Sequence, residues 1–109
     1  MKRGDIVTVA FSGDYGKPRP AVIVQSDLFN DTHATILVCP FTSSAVSSSI
    51  FRISVSLSAE NELRVLSRIM VDKIAPIRRE KIGKKIGTLD GETLLQLNRS
   101  LALFVGLIS

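Results

Sequence analysis

The chain has 109 residues, 45% of them hydrophobic and 22% charged, with a formal net charge of +4. That length holds a single domain, 1–109, able to bury about two thirds of the surface its unfolded chain exposes, and the apolar content excludes disorder. One cysteine and one histidine exclude a disulfide framework and the usual zinc site, so neither a metal nor another cofactor is expected.

Met1-Lys2-Arg3 runs straight into Gly4-Asp5 without an apolar leader, which sets the expectation of a cytoplasmic protein. Ile6 to Phe11 is a β-branched run and reads as a first strand. Ser12 to Pro18 is dense in turn formers and reads as a loop. Arg19-Pro20 leads into Ala21 to Gln25, a short apolar run typical of a strand buried on both faces. Asp27 to His33 is polar, a turn or a single helical turn. Ala34 to Cys39 is a third strand, which Pro40 is expected to end.

Five serines crowd the eight residues from Thr42 to Ser49, a surface loop. Phe51, Ile53, Val55 and Leu57 then alternate with Arg52, Ser54 and Ser56, the pattern of a strand with one dry and one wet face. Glu60-Asn61-Glu62 reads as a turn and Leu66 to Val71 as another strand. Pro76 and Gly83 break the basic segment beyond it into short pieces. Asp90 is a good N-cap, with Glu92 in the first turn, and Leu94, Leu97, Leu101, Phe104 and Ile108 recur at helical spacing. That terminal stretch is interrupted by Gln96, Asn98, Arg99 and Ser100 and falls short of the roughly 18–20 apolar residues of a membrane span. Strands first and one helix last, with few residues for parallel crossovers, predict a mostly β domain. It should be a small antiparallel barrel or curled sheet covered by a C-terminal helix (α+β).

The positive charge is local. Lys73, Arg78, Arg79, Lys81, Lys84 and Lys85 face Glu80 alone, whereas the rest of the chain has eight basic and nine acidic residues. A clustered basic face attracts phosphate backbones or an acidic protein partner; a solvated run of charges fits the composition as well.

Several chemistries are absent: no phosphate loop ending in Lys-Ser/Thr, no dinucleotide fingerprint, no His-Glu-x-x-His. His33 sits in a predicted loop and reads as a bystander. Cys39, between Val38 and Pro40, reads as a small buried thiol. Arg19 stands between Pro18 and Pro20, which hold its backbone extended and pre-position a guanidinium suited to bidentate phosphate contact. An ordinary surface arginine beside a turn fits that composition too. Thr42 and Ser43 open the serine-rich loop past a strand end, either as displayed hydroxyls or as a local side-chain turn.

Six short motifs fall in one order. They are Arg3-Gly4-Asp5-Ile6, Arg19-Pro20-Ala21-Val22-Ile23-Val24, Phe29-Asn30, Pro40-Phe41-Thr42-Ser43, Met70-Val71-Asp72-Lys73-Ile74 and Ile86-Gly87-Thr88-Leu89. Together they resemble the MazF/PemK family of toxin endoribonucleases from bacterial type II toxin–antitoxin pairs, across nearly the whole chain. The resemblance implies a small SH3-like β-barrel with a C-terminal helix, working as a homodimer. It implies cleavage of single-stranded RNA, mRNA included, without metal, leaving a 2′,3′-cyclic phosphate or its opened form and a 5′-hydroxyl. It places the family's catalytic arginine and threonine on Arg19 and Thr42, with Asp72 as an assisting aspartate, and implies an antitoxin partner. The chain departs from the family at Asp14, which at best matches an acidic loop residue in a loop lacking histidine. It departs also at Met70, an arginine in some members, and at Lys73, usually glutamine.

The chemistry agrees with these assignments. The substrate's own 2′-hydroxyl is the nucleophile, so the enzyme need only hold the chain in line, move a proton and stabilise a dianionic phosphorane. Arg19 suits the charge and is a poor base; Thr42 can donate to a phosphate oxygen; Asp72 or a path on the substrate takes the proton. Asp14, Tyr15, Lys17, Phe41, Ser43, Lys73, Lys84 and Lys85 are candidate substrate contacts, Tyr15 and Phe41 by stacking on bases. A basic toxin calls for an antitoxin segment that is acidic and partly disordered. A gyrase poison of the CcdB type and a noncatalytic RNA-binding barrel are the alternatives on the same fold. Arg19-Pro20 together with Thr42-Ser43 favours the nuclease.

Overall fold

A computed structural model of the chain describes residues 1–11, 13, 17–44, 50–56 and 66–109. The strands are β1 (Asp5–Val9), β2 (Arg19–Ile23), β3 (Thr35–Thr42), β4 (Arg52–Val55), β5 (Ser67–Met70), β6 (Ala75–Arg78) and β7 (Ile82–Thr88), followed by helix α1 (Gly91–Phe104). They form one antiparallel sheet in the order β4-β5-β3-β2-β1-β7, with β6 paired to the first half of β3. Most of the Ser12–Pro18 loop, most of the serine-rich loop, Leu57 and the Glu60–Glu62 turn lie outside the described residues.

Strand β2 is buried on both faces, as its unbroken apolar run predicts. Val22, with Val24 just past the strand end, enters one cluster with Ile6, Cys39, Phe41, Ile53, Ile69, Val71 and Leu97. Ala21 and Ile23 enter another with Val7, Val9, Ile36 and Val38. Helix α1 seals the first cluster through Leu97, which is fully buried, flanked by Leu94 and Leu101. Ile77 of β6 and Ile82 of β7 pack on the second cluster from the two ends of that half, so the sheet curls over it.

The sheet does not close into a barrel: among the described residues β4 and β7 end it and do not pair with each other. A helix occupies the place of a closing strand at the β4 end. The Ser100 hydroxyl donates to the Ile50 carbonyl at 2.9 Å, and the Phe51 and Phe104 rings meet edge-to-face at 5.2 Å. Capping sets the helix limits. Asp90 accepts from the Thr93 N–H at 3.1 Å. Gly106, at φ 85°, terminates the helix with Leu107 N–H on the Ala102 carbonyl, so Ile108 lies past its end although it continues the apolar period. No helix among the described residues is long and apolar enough to cross a membrane.

Pro40 does not end β3. It is registered against Ala21 of β2, and on the other edge of β3 it falls between the stretch paired with β6 and the stretch paired with β5. A residue without an N–H is tolerated where a strand changes partner. Strands β6 and β7 are not foreseen by the sequence beyond "short pieces". Adjacent charges at Lys84 and Lys85 hide the period of two, and β7 joins β1 through two register shifts.

Candidate active site

Arg19 opens β2, exposed and registered against Val9. Continuing the Ala21↔Pro40 register by two residues sets Arg19 opposite Thr42, the last residue of β3. Thr42 is registered against Arg68 of β5, and Arg68 against Ser54 of β4. Directly opposed residues of antiparallel strands share a face. Thr42, Arg68 and Ser54 therefore form one row across β3, β5 and β4, and Arg19 stands at the position of β2 that the continued register would add to it. Their strand neighbours Phe41, Ile69 and Ile53 point the other way, into the core under α1. The row is thus displayed because the alternate positions are locked in apolar packing.

Thr42 is held locally. The Ser44 N–H donates to its Oγ1 at 3.1 Å, the side-chain turn foreseen for this position. A hydroxyl that accepts a backbone N–H keeps its own proton to give. The Ser44 carbonyl in turn accepts from Arg68 Nη1 at 3.0 Å.

Asp72 lies in a 3₁₀ turn, Val71–Lys73, after β5. It is four residues beyond Arg68, roughly 10–13 Å along the strand. Its carboxylate is ion-paired with Arg52 of β4, whose Cα partner is Met70. The Arg52 hydrogen bond, foremost, holds the Asp72 carboxyl below its ordinary range of about 3.8. Asp72 is thereby kept ionised and made a weaker base.

The other predicted contacts divide. Lys17 and Ser43 are exposed beside Arg19 and Thr42, and Lys73 is exposed beside Asp72. Asp14 and Tyr15 lie outside the described residues. Phe41 is 6% exposed and sits in the core, which leaves its ring no face to offer a base. Lys84 and Lys85 are on β7, with β1 between them and β2. Lys85 Nζ is 3.4 Å from Oδ1 of Asp5, a buried carboxylate that needs a partner. The basic segment is therefore no single track. Arg79 also turns inward, onto the Asn30 and His33 carbonyls.

Burial pushes the Cys39 thiol up to about 12, consistent with an inert core residue. Among the described residues, no group of three His, Cys, Asp or Glu is placed to hold a metal ion. Sequence reasoning missed Arg52 and Arg68. Strand alternation puts both on the wet face, but their neighbours across the sheet come from segments far apart in the chain.

Residues 2–105 match the family described as PemK-like, MazF-like toxin of type II toxin–antitoxin system. A protein of Mycolicibacterium smegmatis named "Probable endoribonuclease MazF" is 36% identical over 108 residues, with 98% of each chain covered. Among solved structures, a mycobacterial endoribonuclease in complex with its cognate antitoxin superposes with a TM-score of 0.84 at 19% identity, covering 100% of this chain and 98% of the other. The Mycobacterium tuberculosis toxin MazF-mt6 superposes at 0.81 and 21% identity, covering 96% and 99%.

Proposed function

The chain belongs to the PemK-like, MazF-like toxins of type II toxin–antitoxin systems and is an endoribonuclease, and we propose that it cuts single-stranded RNA, mRNA included, by in-line attack of the substrate's own 2′-hydroxyl, without metal. The 2′-oxygen forms a bond to phosphorus and the bond to the 5′-oxygen breaks, giving a 2′,3′-cyclic phosphate and a 5′-hydroxyl. Arg19 binds the equatorial oxygens of the phosphorane, and Thr42 donates its hydroxyl proton to one of them. The 2′-hydroxyl proton passes to water and the leaving 5′-oxygen takes one from water. Asp72 acts as a positioning residue: weakened as a base and offset from the Arg19–Thr42 pair, it fixes Arg52.

The reading is supported by the β2–β3 pairing, which ends at Ala21↔Pro40 two residues short of Arg19 and Thr42, and by Thr42 Oγ1 already accepting the Ser44 N–H. Lys17, Ser43, Lys73 and Lys84 contact the RNA backbone, whereas Lys85 serves Asp5. In the cytoplasm the toxin works as a homodimer and is neutralised by a cognate antitoxin through an acidic, partly disordered segment. Thr42→Val tests the site. It keeps the β-branched shape but removes the donor, so cleavage of a single-stranded RNA should fall about 10²-fold or more with the thermal midpoint nearly unchanged. Undiminished cleavage by the folded variant removes Thr42 from the mechanism.

A further inference from the structure

We infer that Arg68 is a second catalytic arginine, gripping the scissile phosphate from the side of Thr42 opposite Arg19; this rests on the Arg19–Thr42 reading above. Two observations and one spacing argument carry it. Arg68 is the direct cross-strand partner of Thr42, and its side chain shares the face on which the row is displayed. If the β2–β3 register continues from Ala21↔Pro40 to Arg19, ideal strand spacing of about 4.8 Å puts the Arg19 and Arg68 backbones about 10 Å apart on either side of Thr42, a gap that two guanidinium arms can close on one phosphate. Finally, Arg68 and Thr42 are aimed by one residue's backbone. The Ser44 N–H donates to Thr42 Oγ1, and the Ser44 carbonyl accepts from Arg68 Nη1. Among the described residues that bond is the one the guanidinium makes, using one of its five N–H donors and leaving the rest of the fork for phosphate oxygens.

Charge gives the arrangement its purpose. The phosphorane carries two negative charges where the ground-state diester carries one. One guanidinium balances the substrate; a second is matched to the charge that develops only in the transition state. Arg68 therefore acts mainly on kcat, and only secondarily on RNA binding. Met70, two residues along the same face, brings no charge, and Arg52 opposite it is engaged by Asp72.

The test is single-turnover cleavage of a short single-stranded RNA containing one site mapped with the wild-type protein, using Arg68→Gln, Arg68→Lys and Arg19→Lys. Glutamine can still donate an N–H to the Ser44 carbonyl, so it preserves a purely structural role while deleting the charge. Arg68→Gln should lower kcat about 10²-fold, and should flatten the slope of log K against log salt by about 0.7, one phosphate contact. Arg68→Lys, which keeps charge without the fork, should fall between Gln and wild type and serves if Arg68→Gln does not fold. Wild-type kcat and salt slope in Arg68→Gln, with Arg19→Lys impaired, overturn the role of Arg68 alone. Wild-type kcat in both overturns the reading on which it rests.

Discussion

The ion pair between Arg52 and Asp72 ties the stability of the fold to pH. Arg52 lowers the Asp72 pKa in the folded chain, so the pair stabilises fully above the unfolded value of about 3.8 and the contribution is lost as pH falls through the folded value. The side chains are 18% and 30% exposed, between a solvated pair and a buried one, so the coupling at neutral pH should be about 1 kcal/mol. For a domain of 109 residues that corresponds to roughly 4 °C in Tm. A double-mutant cycle of Arg52→Gln and Asp72→Asn, followed by urea unfolding, isolates the coupling from the loss of either side chain alone. Repeated below the folded pKa, the same cycle should give a coupling near zero. In the positive direction, Arg52→Gln should return the Asp72 carboxyl toward its ordinary value. No coupling at neutral pH, or a coupling that persists in acid, refutes the electrostatic origin of the pair.

Leu97→Ala removes a fully buried side chain between α1 and the sheet and should cost about 2–5 kcal/mol in urea unfolding. A Cβ at Gly83 meets Thr8 Oγ1 at 2.3 Å, so Gly83→Ala should lower Tm, and adding Thr8→Ala should recover part of the loss. Cys39 should resist a thiol reagent in the native protein and react only on unfolding, because the thiol is buried and its pKa is pushed up to about 12. Lys84→Ser should flatten the salt slope of RNA binding by about 0.7, whereas Lys85→Ser should act on stability through Asp5; equal effects of both on RNA would contradict the division.

Much of the fold is legible where one physical signal acts alone. The unbroken apolar run at Ala21 to Val24 announces burial on both faces, and Ile53 and Val55 alternate with Ser54 as a half-wet strand must. Asp90 announces the helix start. Signals mislead where two compete: Pro40 is a stop in isolation, but β3 carries it through at a change of partner. The apolar period at Ile108 continues past a glycine that has already ended the helix. The site divides in the same way. Arg19 and Thr42 stand in short motifs that can be read along the chain, and Arg68 does not, since only pairing of β5 with β3 puts it beside Thr42. Asp72 is legible as a candidate site residue, but its partner Arg52, twenty residues earlier, is not.

Whether the substrate's own 2′-hydroxyl attacks is tested most directly by one cleavage measurement made in excess chelator. A single-stranded RNA with a mapped site is compared with the same strand carrying one 2′-deoxy nucleotide on the 5′ side of the scissile phosphate. The all-RNA strand should be cut to a 2′,3′-cyclic phosphate and a 5′-hydroxyl, and the substituted strand should remain whole at that position. Cutting at the deoxy position, or a strict need for added metal, contradicts the mechanism.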